Sequence, residues 1–161
     1  MTMRATIVAA ATLLALAAPT ARAVPTCEGR LSGKVSGTFA CDVSLVEPGD
    51  GEATFVVQPR GPIPDVPAYA PGAFRMPLPV AAGTYTLDDL GMGKASVAAE
   101  GGVLYTATKT SGQRGEVTLV LRTVTPAPGA KGAWIVHGTY RARLIPAGAG
   151  KQGDVVVEVT F

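Results

Sequence analysis

The chain has 161 residues, of which 47% are hydrophobic and only 16% charged, with a formal charge of +2. That length argues for one domain. Its Gly (20) and Pro (13) residues are interspersed, without the period of collagen or the polarity of a disordered chain. A single His and two Cys exclude most catalytic repertoires built on imidazole or thiolate.

Residues 1–23 read as an export signal. Arg4 supplies a positive start, residues 5–18 form an uncharged Ala/Leu-rich run, and Pro19 leads into Ala21-Arg22-Ala23, an A-x-A cleavage pattern. The apolar run is shorter than the roughly 20 residues needed to span a bilayer, and no transmembrane span is expected in the mature chain. The expected domain is therefore residues 24–161, exported to the periplasm or the exterior. Arg4 and Arg22 leave with the signal, so the 14 basic side chains fall to match the 12 acidic ones. A near-neutral domain argues against a nucleic-acid binder or a polybasic membrane-surface protein.

Cys27 and Cys41 both lie in the exported part, where the compartment is oxidising, and an even count without a CxxC favours a structural disulfide. Such a bridge would contribute about 3 kcal/mol on the chain-entropy model. Yet Leu31, Gly33, Val35, Gly37, Phe39, Cys41, Val43 and Leu45 form an unbroken period-2 series that reads as one long strand. In one strand the two Cα atoms would stand ~45 Å apart, whereas a disulfide needs them within ~7 Å. Either the chain reverses within residues 32–37, or the thiols do not pair with each other. Lipidation of Cys27 is disfavoured, because the preceding Ala23-Val24-Pro25-Thr26 makes a poor lipobox.

Strands and turns continue to the end of the chain. Residues 52–58 place Ala53, Phe55 and Val57 on one face. Residues 59–79 carry seven prolines, which cannot donate to a ladder, and read as a long loop or an edge-hugging extended segment. Residues 83–87 and 94–99 are further strands. A three-residue loop at Glu100-Gly101-Gly102 then sets Ala95 opposite Ala107 and Val97 opposite Tyr105. Residues 116–124 turn Val117, Leu119 and Leu121 inward. Strands over 133–145 and 155–161 form a last hairpin pairing Leu144 with Val155, Ala142 with Val157 and Tyr140 with Val159, with Arg141 opposite Glu158 outside. Eight or nine short strands without helical periodicity predict an antiparallel β-sandwich, with a barrel as the second choice.

Gly83-Thr84-Tyr85, Gly115-Glu116-Val117-Thr118-Leu119, Gly138-Thr139-Tyr140 with Leu144, and a closing Val157-x-Val159-x-Phe161 follow one another in a familiar order. Over residues 83–161 the chain resembles a loose group of uncharacterised secreted bacterial β-sandwich domains, often lipoproteins. The resemblance implies a sandwich and an envelope location, and it brings no activity or functional residues with it.

No catalytic, metal or cofactor set emerges. His137 shares its strand parity with Thr139, Arg141 and Arg143, on the outer face, and no G-x-S-x-G supplies a nucleophile elbow. Asp88-Asp89 and Asp50-Gly51-Glu52 are turn-type carboxylates without the spacing of a calcium loop. Trp134, Tyr140 and Tyr105 share parity with apolar neighbours, which predicts core positions. Tyr69, inside the proline-rich stretch, is the aromatic expected at the surface. Arg122, Arg141 and Arg143 form a candidate outer basic strip, partly neutralised by the Arg141–Glu158 pair.

The expectation is a non-enzymatic exported protein that acts through its surface on an envelope or extracellular protein or glycan. The candidate surface is Tyr69, Arg122, His137, Arg141 and Arg143, with residues 59–79 as the foremost patch. Two alternatives stand beside it. One is a structural subunit that self-assembles through edge strands; the other is a small hydrolase of envelope polymers using Asp50, Glu52, Asp88 or Asp89.

Overall fold

Period-2 alternation of apolar and polar side chains gives each strand one face to bury, and the architecture follows from how those faces are closed on one another. A computed structural model describes residues 26–109, 114–148 and 152–161; the expected export signal lies outside them. Ten strands occur among the described residues: β1 (Cys27–Gly33), β2 (Gly37–Val46), β3 (Glu52–Pro59), β4 (Ala68–Pro77), β5 (Gly83–Thr86), β6 (Gly93–Ala98), β7 (Leu104–Thr108), β8 (Glu116–Pro126), β9 (Ala133–Pro146) and β10 (Val155–Thr160).

The expected sandwich does not form. The sheet closes into an eight-stranded antiparallel barrel in the order β1-β2-β3-β4-β6-β7-β9-β10, with β8 and β5 as two extra strands. The sandwich implied by the resemblance is corrected with it. Closure is the work of β9, which pairs along both edges. One edge meets β10 over residues 139–144 and β2 at Leu45↔Trp134 and Val46↔Ala133. The other meets β8 over 134–143 and β7 at Tyr105↔Pro146 and Thr106↔Ile145.

The second correction is β4. Residues 59–79 are not one long loop, because residues 68–77 form a barrel strand between β3 and β6. Its prolines are placed where a missing N–H does no harm. Pro59 and Pro77 sit at strand ends, and Pro71 sits in the bulge between Ala70 and Ala73, outside the β3 register that stops at Val57↔Gly72. Residues 60–67 and 78–79 are what remains outside the strands, and Ile63 (3% exposed) and Val66 (6%) turn into the core rather than outward.

Both predicted hairpins form in register. Ala95 faces Ala107 and Val97 faces Tyr105, while Leu144, Ala142 and Tyr140 face Val155, Val157 and Val159. The conflict between one long strand and a disulfide resolves as a reversal. β1 and β2 form a hairpin in which Cys27 lies directly opposite Cys41, with Cα atoms 4.9 Å apart, and the two are bonded. Gly33 enters that turn at φ +98, a conformation other L residues rarely adopt.

Side chains fill the interior, as expected for a barrel of this strand number. Phe55, Phe74, Met76, Leu31, Leu45, Leu119, Leu144 and Tyr140 are all nearly inaccessible, and no charged residue is buried among those described. Tyr140 spans the core. Its ring packs 5.9 Å from Phe55 and 6.3 Å from Phe74, and its hydroxyl donates to the carbonyl of Pro71 at 2.7 Å. Burial pushes its phenol well above the ordinary tyrosine value, so it remains a donor. Gly72 makes room for it: a Cβ there would lie 2.8 Å from Tyr140 Oη and 2.9 Å from Cζ.

Two substitutions test this bridge. Tyr140→Phe leaves the Pro71 carbonyl buried without a partner and is expected to destabilise by roughly 1–3 kcal/mol. Gly72→Ala forces the ring aside, at about 1–3 kcal/mol. Thermal unfolding should place both below the wild type by several degrees (on the order of 3–10 °C); unchanged melting of both would contradict the bridge.

An outer groove as candidate functional site

With the interior filled, chemistry is left to the outer faces of the strands. Strand order and register there bring together side chains far apart in sequence. Across β2, β1, β10, β9, β8 and β5 runs the row Thr38, Arg30, Glu158, Arg141, Thr118, Thr86. Beside it runs Ala40, Glu28, Thr160, Thr139, Val120, Thr84. Neighbouring strands stand about 4.8 Å apart, so each row is a continuous ladder of outward groups.

The first four strands of these rows floor a groove of about 860 Å³, within the roughly 300–1,000 Å³ range of ligand sites. Its polar walls are Glu28, Arg30, Thr38, Thr139, Arg141 and Glu158. Arg141 Nε donates to Glu158 Oε1 at 3.3 Å. Arg30 lies directly opposite the same Glu158, yet neither Arg30 nor Glu28 has a side-chain partner among the described residues. Phe39 and Tyr140 also line the groove's floor, but both are buried. The Phe39 ring covers its cross-strand neighbour Gly29, where an added Cβ would meet it at 2.1 Å.

The residues singled out from the sequence are scattered relative to this groove. Arg141 lines it. Arg143 lies one row away and is committed to acids on both sides, with Nε 2.6 Å from Asp154 and Nη1 3.1 Å from Glu116, which raises its already high pKa. Arg122 is exposed at the bulge in β8, and His137 is exposed opposite Thr123. The expected basic strip is thus broken up, two of its three arginines being paired with carboxylates. Tyr69 is partly at the surface. It sits on β4, half-buried against the core, and its hydroxyl donates to the Gly61 carbonyl. Tyr105 and Tyr140 are core, and Trp134 is half-buried against it.

The four candidate carboxylates are all engaged. Asp50 and Glu52 share Arg75, and Asp88 pairs with Arg114. Asp89 accepts from both the backbone N–H and the hydroxyl of Thr86 at 2.7 Å. A general acid needs a carboxyl whose pKa is raised towards neutrality. Asp50 and Asp89 are instead held below the usual aspartate range, the first by the Arg75 guanidinium, the second by Thr86. No group of three metal-capable side chains occurs among the described residues.

Glu28, Arg30, Thr38 and Thr160 escaped the sequence reading. Arg30 opposite Thr38 follows from the Cys27↔Cys41 register once that pairing is granted. The β1–β10 pairing joins the two ends of the described chain, and no local pattern announces it. No family model, curated protein or solved structure matches the chain.

The depressed carboxylates set a pH dependence. Asp42, held down by the Arg60 guanidinium, joins Asp50 and Asp89 in having a folded pKa below the ordinary value. Such groups stabilise the fold fully above the unfolded aspartate value of about 3.9, and the contribution is lost as pH falls through the lower folded values. Melting temperature should be flat between about pH 7 and 5 and fall below about pH 4. The combined Asp42→Asn, Asp50→Asn and Asp89→Asn variant should show a lower plateau and a shallower acid slope. Equal slopes would contradict the assignment.

Proposed function

We propose that this protein is an exported, non-enzymatic binding module, working in the periplasm or outside the cell, that engages its partner through the outer groove across β2, β1, β10 and β9. The observation that carries this is the contrast between the two faces of the barrel. The inside is apolar and filled, whereas the outside bears a groove with two uncommitted opposite charges. That polarity is the reverse of a lipid-facing barrel, which needs an apolar outer band. No described helix is long and apolar enough to cross a membrane.

Export is supported by the Cys27–Cys41 disulfide, which is consistent with an oxidising compartment, and by the signal-like residues 1–23. The partner is an envelope or extracellular macromolecule rather than nucleic acid, because positive and negative groups alternate in the groove and offer no continuous cationic track.

Intact mass of the secreted protein tests export: a chain starting at Val24, with both thiols blocked to alkylation until reduction, is expected. Retention of residues 1–23 would overturn it. For the groove, immobilised wild type and an Arg30→Ala, Arg141→Ala, Glu158→Ala variant are exposed to envelope and culture fractions of the producing cell. Material held by the wild type and released by the variant is expected; equal retention by both would place binding elsewhere.

A further inference from the structure

We infer that the groove takes an extended polypeptide in which a basic and an acidic side chain stand two residues apart, the basic one against Glu28 and the acidic one against Arg30. This rests on the binding role proposed above and specifies its ligand.

The match is one of period and sign. Glu28 and Arg30 are alternate residues of β1, both exposed on its outer face. They are therefore separated by about 6.6–6.8 Å along the strand. An extended chain laid along β1 repeats its own facing side chains at the same interval. A ligand with one charge of each sign at positions i and i+2 thus meets both groove charges at once, in either chain direction.

Both groove charges are available. Glu158, the residue opposite Arg30, already accepts from Arg141, so the Arg30 fork is open for the bidentate carboxylate contact that suits a guanidinium. Thr38, Thr139 and Thr160 flank the pair. Their hydroxyls both donate and accept, which suits the N–H and C=O groups of a peptide backbone.

A polysaccharide fits less well. The groove's aromatic residues, Phe39 and Tyr140, are buried and committed to Gly29 and Pro71, leaving no ring on which a sugar could stack. A uniformly anionic glycan would meet Glu28 and Glu158 as readily as Arg30.

The test is a titration of the isotope-labelled full protein with short capped peptides, followed by amide chemical shifts. The probes carry Lys-Thr-Glu, Lys-Thr-Lys or Glu-Thr-Glu at their centre, with oligogalacturonate as the anionic glycan. The mixed-charge peptide is expected to shift amides of β1 and β10 and to bind about tenfold more tightly than either same-sign peptide, two solvent-exposed ion pairs accounting for that factor. Arg30→Glu should move the preference to Lys-Thr-Lys, and Glu28→Lys should move it to Glu-Thr-Glu. If Arg30→Glu unfolds, Arg30→Gln should abolish the preference for Lys-Thr-Glu over Lys-Thr-Lys, while Glu28 still disfavours Glu-Thr-Glu.

Equal binding of the three peptides, absence of any shift, or a preference unmoved by both variants would overturn the inference. Shifts in β1 and β10 with oligogalacturonate alone, lost in Arg30→Glu, would overturn the polypeptide ligand while leaving the groove as the binding surface.

Discussion

Strand β9 is hydrogen-bonded along both edges, and from its middle Tyr140 reaches across the barrel to the carbonyl of Pro71 in the bulge of β4. These two features decide the rest. Pairing on both edges turns an open sheet into a closed one, and closure removes the edges that would otherwise need covering. The phenol then satisfies the buried carbonyl that the bulge exposes, on the far wall from its own strand. Loss of the closure would expose the apolar faces of β7 and β10; loss of the phenol would leave a buried carbonyl unpaired.

A filled interior has a functional consequence. Small barrels either pack their lumen with side chains or hold a ligand there. Here Phe55, Phe74, Met76 and Tyr140 occupy it, and two connections add to the packing by burying Ile63 and Val66 from one and Leu87 and Leu90 from the other. Recognition is therefore displaced to the outside, where parity along each strand and register between strands assemble the polar rows. The charges that could have cancelled one another only partly do so. Arg141 takes Glu158 and Arg143 takes Glu116 and Asp154, while Glu28 and Arg30 are left over.

Local rules were enough for much of the fold. Alternation placed Val117, Leu119 and Leu121 inward, the Glu100-Gly101-Gly102 loop set Val97 against Tyr105, and the last hairpin followed from its apolar pairs. What eluded them was non-local. A proline-rich stretch reads as loop unless one knows that Pro71 falls at a bulge, where its missing N–H is harmless. The choice between sandwich and barrel turned on two non-local pairings, that of β1 with β10 and that of Ile145 and Pro146 of β9 with β7. Nothing in the alternation of these strands distinguishes a strand with one partner from a strand with several. The candidate site failed to show for the same reason. Arg141 was visible because its hairpin partner is close in sequence, whereas Arg30 enters the groove through a pairing between the first and last strands.

Closure of the sheet by β9 is the claim on which the binding account depends, and cross-strand nuclear Overhauser effects test it most directly. A closed barrel predicts contacts between Thr106 and Ile145 on one edge of β9 and between Leu45 and Trp134 on the other, with slow amide exchange along β7. Absence of both contacts, with rapid exchange along one edge of β7, would mean an open sheet and would contradict the filled barrel from which the outer groove was derived.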